Sequence, residues 1–382
     1  VTYKKGQEIT LLELCDIIDN IDNAFDKYFE EAKIDKPRAK RMCGYTTWYN
    51  YYTSVTEEIV ERDLEAIAKL GSKIDIFQVD DGYERTVGDW LYHDEKKFPS
   101  GMKLIADNIH KNDMLAGLWL APFAATPKSY IYNKHKDWFV KNKNGKIPFA
   151  SHNWGGFYAL DIYNNEVRQY LKEVFDTVLN VWGYDMVKLD FLYACCIIPF
   201  NGKSRGEIMC DAMDLIRELC GDKLILGCGV PLAPAFGKVD FCRIGADMAL
   251  SWGKKPFSRE DVSTKHALLN TIFRRELDGR AFLNDPDVFL LRDNNIKMSF
   301  EQRKLIAETA SLFGNLLFVS DDVSTYNSNQ KDCFINVTTR NKADINYVNM
   351  DSDGDISIKY TLDGEKKGYC FNINSGDKKV LI

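Results

Sequence analysis

The clearest hydrophobic rhythm in the chain runs from Asn165 to Trp182. Val167, Tyr170, Leu171, Val174, Phe175, Val178 and Trp182 recur at three- and four-residue steps, which places them on one face of a helix. Asn164 stands where an N-cap would. Similar amphipathic patterns occupy 56–70, 103–112, 204–220, 263–277 and 299–314. Between and around them lie short β-rich apolar runs: MCGYTTW (42–48), IDIFQVD (74–80), LAGLWLA (115–121), DMVKLDF (185–191), KLILGCG (223–229), FCRIG (241–245), AFLN (281–284) and LLFVS (316–320). Eight such runs alternating with helices predict a parallel sheet of βα units, and their span of about 280 residues matches a (β/α)8 barrel. An open doubly wound sheet would carry a Gly-rich phosphate turn after its first strand, and the sequence has none there.

Two flanking segments have other textures. Residues 9–31 read as one amphipathic helix within a lead-in over 1–41. From about Val323 short alternating runs, CFINVTT, INYVNM, DISIKYTL and KGYCFNIN, are broken by DSDGD, LDGEKKG and NSGDKK. The fold class expected is therefore α/β: a TIM barrel over 42–322, followed by a small C-terminal antiparallel, sandwich-like β domain over 323–382.

Composition then removes several kinds of function. A chain of 382 residues with 45% hydrophobic content can bury a large core. Its net charge of -6 comes from dispersed charges with no basic stripe, so no nucleic-acid partner is expected. No apolar run reaches the length of a membrane span, and the opening VTYKKGQEIT lacks the marks of a signal peptide. Ten cysteines show no recurring ligand spacing, and Cys195 and Cys196 are adjacent, which suits a reducing, cytoplasmic setting. The five histidines, His93, His110, His135, His152 and His266, form no H-x-H or H-E-x-x-H pair, so neither a metal nor a cofactor is expected.

A barrel of this kind carries its chemistry at the C-terminal ends of its strands. Those ends are rich in carboxylates: Asp80 and Asp81 after the second strand, Asp190 after the fourth, Asp247 after the sixth, and Asp285, Asp287, Asp321 and Asp322 after the last two. Asp285, Asp321 and Asp322 read individually as helix caps or turn residues. Lys188 and Asp190, two residues apart on one strand, share a face and read as pocket lining. Arg243 with Asp247 adds a second cation and carboxylate, while Trp48, Trp119 and Cys228 close other strands. Carboxylates for adjacent hydroxyls and aromatic platforms for C–H faces suit a sugar. Two acids across a glycosidic bond would hydrolyse it. The residues alone leave open a metal-dependent lyase or isomerase, and a sugar-binding protein without catalysis.

The segments QVDDGYERTVGDW, GLWLAPF, VKLDFLYA, LGCGVPL, CRIGADMALSW and FLNDPDVFLLR, in that order between Trp48 and Asp322, resemble the α-galactosidases of glycoside hydrolase family 36, in clan D. The resemblance implies a retaining double displacement with Asp190 as nucleophile and Asp247 as acid/base, their carboxyl groups about 5–5.5 Å apart. It implies that Asp80 and Asp81 hold O4 and O6 of galactose, that Lys188 binds neighbouring hydroxyls, and that Arg243 serves the 2-hydroxyl region. Trp48, Trp119 and Trp154 would wall the site. Cys228 would lie near O2 and crowd an N-acetyl group, favouring galactose over N-acetylgalactosamine. Lys188 is expected to keep Asp190 ionised, and Asp247 to carry the donated proton. The activity so implied is exo-hydrolysis of terminal α-linked galactose from small oligosaccharides, with α-N-acetylgalactosaminidase and galactosyl transfer as alternatives and oligomerisation left open. Family members usually carry a large N-terminal β domain, where this sequence has about 41 residues before the barrel.

Overall fold

The computed structural model describes Gly6 and residues 17–72, 74–253 and 262–381. All eight expected barrel strands form: β1 Met42–Thr46, β2 Ile76–Val79, β3 Leu115–Leu120, β4 Met186–Leu189, β5 Leu224–Gly227, β6 Phe241–Arg243, β7 Leu283–Asp285 and β8 Leu316–Val319. They pair in parallel in sequence order, with Gly44 opposite Ile76, Ile76 opposite Leu115, Gly117 opposite Met186 and Met186 opposite Leu224. Every residue of β1, β2 and β4 is buried, as a parallel sheet covered on its outer face requires.

Among the described residues, six helices of nine residues or more follow the strands: α2 Glu57–Ala68, α3 Met102–His110, α4 Asn165–Asp176, α5 Arg205–Cys220, α6 Thr264–Phe273 and α7 Phe300–Phe313. They come after α1, Ile21–Glu31. In α4 the stripe read from the sequence is the buried one, and Asn164 caps it by accepting from Glu166 N at 2.8 Å. The stretch to Val181 then loosens into a π-helical turn. The single lead-in helix expected over 9–31 is shorter. Asn20, in an extended conformation, caps Asn23 N and starts α1 at Ile21, while residues 7–16, with Cys15, lie outside the described residues.

The barrel closes between its last two strands by an indirect route. β7 pairs with β6, but β8 pairs with Val288–Phe289, the continuation of β7 beyond Pro286 and Asp287. Asp287 takes a φ of 79°, a left-handed conformation rare for a residue with a side chain. Asn315 N donates to Asn284 O at 2.9 Å across this seam, and β1 completes the circle on β8, with Met42 opposite Leu316.

The C-terminal segment departs from expectation in one element. CFINVTT belongs to helix α8, Ser328–Thr339, rather than to a strand. Asn327 and Gln330 form a capping box, and Gln330, Cys333, Phe334 and Val337 are buried at helical spacing, so tertiary packing overrides the β-branched composition. β9 Asp344–Met350, β10 Asp355–Leu362, β11 Glu365–Asn372 and β12 Lys378–Val380 then form one antiparallel sheet. It docks on α7 rather than on a second sheet, through Tyr369 and Thr309, whose hydroxyls lie 3.1 Å apart, and through Lys378 and Glu308. Among the described residues no helix is long and apolar enough to cross a membrane.

Candidate active site

The open C-terminal mouth of the barrel holds a cavity of about 240 Å3. Drug-sized ligands occupy pockets of roughly 300–1,000 Å3, so this one suits a single sugar ring rather than an oligosaccharide. Its floor comes from β2 and β4. Lys188 Nζ donates to Asp80 Oδ2 at 2.8 Å, and Gln78 Nε2 (2.7 Å) and Thr46 Oγ1 (3.2 Å) donate to the same oxygen. Burial would strip the proton from Lys188, but the charge of Asp80 overrides it and holds the ammonium well above its ordinary pKa. Lys188 and Asp190 do share a strand face, yet the hydrogen-bonded partner of the lysine is Asp80. Asp80 is the more deeply buried carboxylate, and leaving it unpaired would cost more.

Asp190 lies where β4 ends. Its Oδ1 accepts from Phe191 N at 2.7 Å and its Oδ2 from Trp119 Nε1 at 3.3 Å. Phe191 turns the chain away with a φ of 52°. Gly229, with a φ of 55°, makes room beside it: a Cβ there would stand 3.0 Å from Asp190 Oδ1 and 2.9 Å from Phe191 N.

An excursion between β3 and α4 supplies the roof. Ala124–Ala125, Phe149–Ser151 and Phe157–Ala159 make a small antiparallel sheet, and the turn between its last two strands carries Asn153 and Trp154 over the cavity. Trp154, with a φ of 55°, donates from Nε1 to Asp81 Oδ2 at 2.8 Å. Burial, then Asp80 and Asp190, push the Asp81 carboxyl above its usual range, against hydrogen bonds from Glu84 and Trp154. Left-handed Trp154, Phe191 and Asp287 each store about 1–3 kcal/mol of backbone strain around the site.

The far wall belongs to β6 and β7. Arg243 reaches Asp247 Oδ1 at 2.9 Å, Asp285 Oδ2 at 3.3 Å and Asp287 Oδ1 at 2.6 Å. Asp285 and Asp287 are buried, whereas the Asp247 side chain is 48% exposed at the mouth. Asp287 also accepts from Met248 N at 2.6 Å and from the Tyr49 hydroxyl, which ties the Asp247 loop to the closing seam. Burial pushes the Asp287 carboxyl up to about 6, with Arg243 opposing and Asp247 and Asp285 adding to the rise.

Most of the residues expected from the sequence therefore meet at one place: Trp48, Asp80, Asp81, Trp119, Trp154, Lys188, Asp190, Arg243 and Asp247 all line the cavity. Cys228 does not line it. Its thiol is buried within the fields of Asp190, Arg243, Lys188 and Asp247, and burial pushes its pKa up. Asp285 and Asp321, expected as caps or turn residues, are buried ion-pair partners of Arg243 and Arg292; Asp322 does cap a turn, at Ser324 N. Tyr49, Thr53, Asn153 and Phe191 line the cavity without having been singled out. Tyr49, Asn153 and Phe191 flank expected residues in the chain, which was the available signal; nothing local marks Thr53.

Residues 10–203 match the family described as Melibiase, which is half of the chain. The chain belongs to the melibiase family. Its relatives include the α-galactosidase Mel36A of Lactobacillus acidophilus, 29% identical over 150 residues, covering 37% of this chain and 20% of that protein. An Escherichia coli α-galactosidase is 23% identical over 238 residues, 59% of this chain and 32% of the relative. The matched stretches thus span between a fifth and a third of these proteins. In the same family-wide fold, the Thermus thermophilus α-galactosidase TtGalA, solved with p-nitrophenyl α-D-galactopyranoside, superposes with a TM-score of 0.78 at 29% identity, covering 90% of this chain and 69% of that one. Its complex with stachyose gives 0.75 at 30% identity, over 83% and 68%. The family likeness read from the strand ends and the barrel with its C-terminal sheet both agree with these matches.

Proposed function

We propose that this protein is a retaining α-galactosidase that removes terminal α-linked galactose from small oligosaccharides. One observation carries the reading: Asp190 and Asp247 face a single cavity sized for one sugar ring, whose remaining walls are hydroxyl-binding groups and tryptophans. Asp190 attacks the anomeric carbon as the Asp247 carboxyl gives its proton to the leaving oxygen. The departing sugar leaves through the mouth beside half-exposed Asp247, and a water deprotonated by the same carboxylate then releases galactose. Asp80, held by Lys188, and Asp81, held by Trp154, offer acceptors to the ring hydroxyls. The activities and ligands of the relatives, galactosides and stachyose among them, support this substrate class.

We also propose a cytoplasmic location, since the nine described cysteines are all free. The decisive experiment compares hydrolysis of an aryl α-galactoside with its α-N-acetylgalactosaminide and α-glucoside counterparts. Preference for the galactoside is expected. Equal rates on the α-glucoside would remove the assigned roles of Asp80 and Asp81, and a preferred N-acetyl substrate would overturn the choice of galactose.

A further inference from the structure

Asp81 faces the cavity, yet among the described residues no ion pair holds it, in contrast to Asp80 beside Lys188. What backs it is another acid. The Glu84 carboxyl, only 8% exposed, lies behind the cavity wall at the amide that follows Asp81, where each of the two carboxyls acts on the other. Its Oε2 also accepts from Gly82 N at 3.0 Å, which fixes it against the turn that follows β2. Lys97 closes the other side of that turn by donating to Gly82 O at 2.7 Å and Thr53 O at 2.6 Å, so both its bonds go to backbone oxygens.

Two carboxyl groups can hydrogen-bond only if one keeps its proton. Glu84 is the one placed to keep it. Burial and the charge of Asp81 push its pKa well above the ordinary carboxylate range, while the bond from Glu84 acts on Asp81 in the opposite direction. Asp81 then accepts on one side from Glu84 and on the other from the Trp154 indole, which leaves its outward lone pairs aimed at the cavity.

We propose that Glu84 is a positioning residue: as a neutral acid it donates to Asp81 and, together with the Trp154 indole, fixes the Asp81 carboxylate in the orientation that grips a galactose hydroxyl. This rests on the function proposed above. Glu84 itself does not line the cavity, so its effect passes through Asp81 into substrate binding.

The test compares Glu84→Ala with Glu84→Gln, whose amide N–H replaces the acid proton as donor. Removing one donor to a buried carboxylate is expected to raise KM for an aryl α-galactoside about tenfold in Glu84→Ala, with kcat little changed. Glu84→Gln should recover most of that loss. In parallel, the indole 1H–15N resonance of Trp154, assigned by its disappearance in Trp154→Phe, should move in Glu84→Ala and stay near its wild-type position in Glu84→Gln. Identical behaviour of the two variants in both readouts, whether impaired or wild-type, overturns the proposal. Should the wild-type protein leave α-galactosides uncut, the proposed function fails, and the indole comparison, which needs no sugar, still decides the role of Glu84.

Discussion

The two halves of the cavity handle charge in opposite ways. On the β2–β4 side one cation, Lys188, meets one deeply buried carboxylate, Asp80, and neutral donors from Gln78 and Thr46 complete the arrangement. On the β6–β7 side one cation, Arg243, is shared by three carboxylates, Asp247, Asp285 and Asp287. The Lys188–Asp80 pair is balanced within itself, and the acid proton on that side sits between Glu84 and Asp81, behind the cavity wall. The second half has three carboxylates to one guanidinium, and burial, reinforced by Asp247 and Asp285 against Arg243, pushes Asp287 up to about 6. For the proposed function, which holds a sugar still while moving a proton, this division would keep the two tasks on separate walls.

The largest expected effect separates Asp190 from Asp247. Asp190→Ala should lower kcat roughly 10^4-fold or more on every substrate, because no leaving group compensates for a missing nucleophile. Asp247→Ala should cost roughly 10^2–10^4 on oligosaccharides, where the leaving oxygen needs a proton, and far less on an activated nitrophenyl galactoside. Steady-state rates on both substrate types measure this, and losses independent of the leaving group in both variants would break the division between the walls.

Next in size is the balanced pair. Lys188→Met leaves Asp80 buried without its cation and should destabilise the fold by about 3–5 kcal/mol in urea unfolding. Adding Asp80→Asn should restore much of that stability. A full penalty in the double variant would show that packing, rather than charge, sets the cost.

Asp287 supplies the pH dependence of the other wall. Its carboxyl is raised from 3.8 to about 6, so its contribution to stability is fully present below pH 3.8 and lost as the pH climbs through about 6. The loss amounts to roughly 3 kcal/mol at 1.36 kcal/mol per unit. Wild type should therefore weaken relative to Asp287→Asn between pH 4 and 7, as read from unfolding curves of both proteins. A difference constant with pH would mean that the buried acid is already balanced by Arg243. Smallest is Trp154→Phe, which keeps the ring but removes the donor to Asp81, and should raise KM by about fivefold, close to 1 kcal/mol.

These pairings show where sequence reading stops. Strands and helices were legible because burial leaves a period in the chain, and Asp190 stood out as a charge within the apolar run MVKLDFLYA. The partner of Lys188 was not legible. β2 and β4 are not neighbours but flank β3, so the ammonium crosses the barrel interior to reach a residue 108 positions earlier. Glu84 was hidden for a related reason: nothing in DDGYER marks it, and only the folded turn buries it behind Asp81. In α8, local composition argued for a strand, and the face packed against the barrel decided for a helix.

The seam at Pro286 and Asp287 also sets a schedule. β1 pairs with β8, more than 270 residues away, and β8 takes its ladder from Val288–Phe289, beyond Asp287, rather than from β7 itself. A chain emerging from the ribosome can thus assemble the Lys188 wall early, but it must hold open strand edges until residue 319 has appeared. The Arg243 wall is finished by the same event that seals those edges, so the wall that carries Asp247, the proposed proton donor, is completed only when the sheet has no open edge left between β7 and β8.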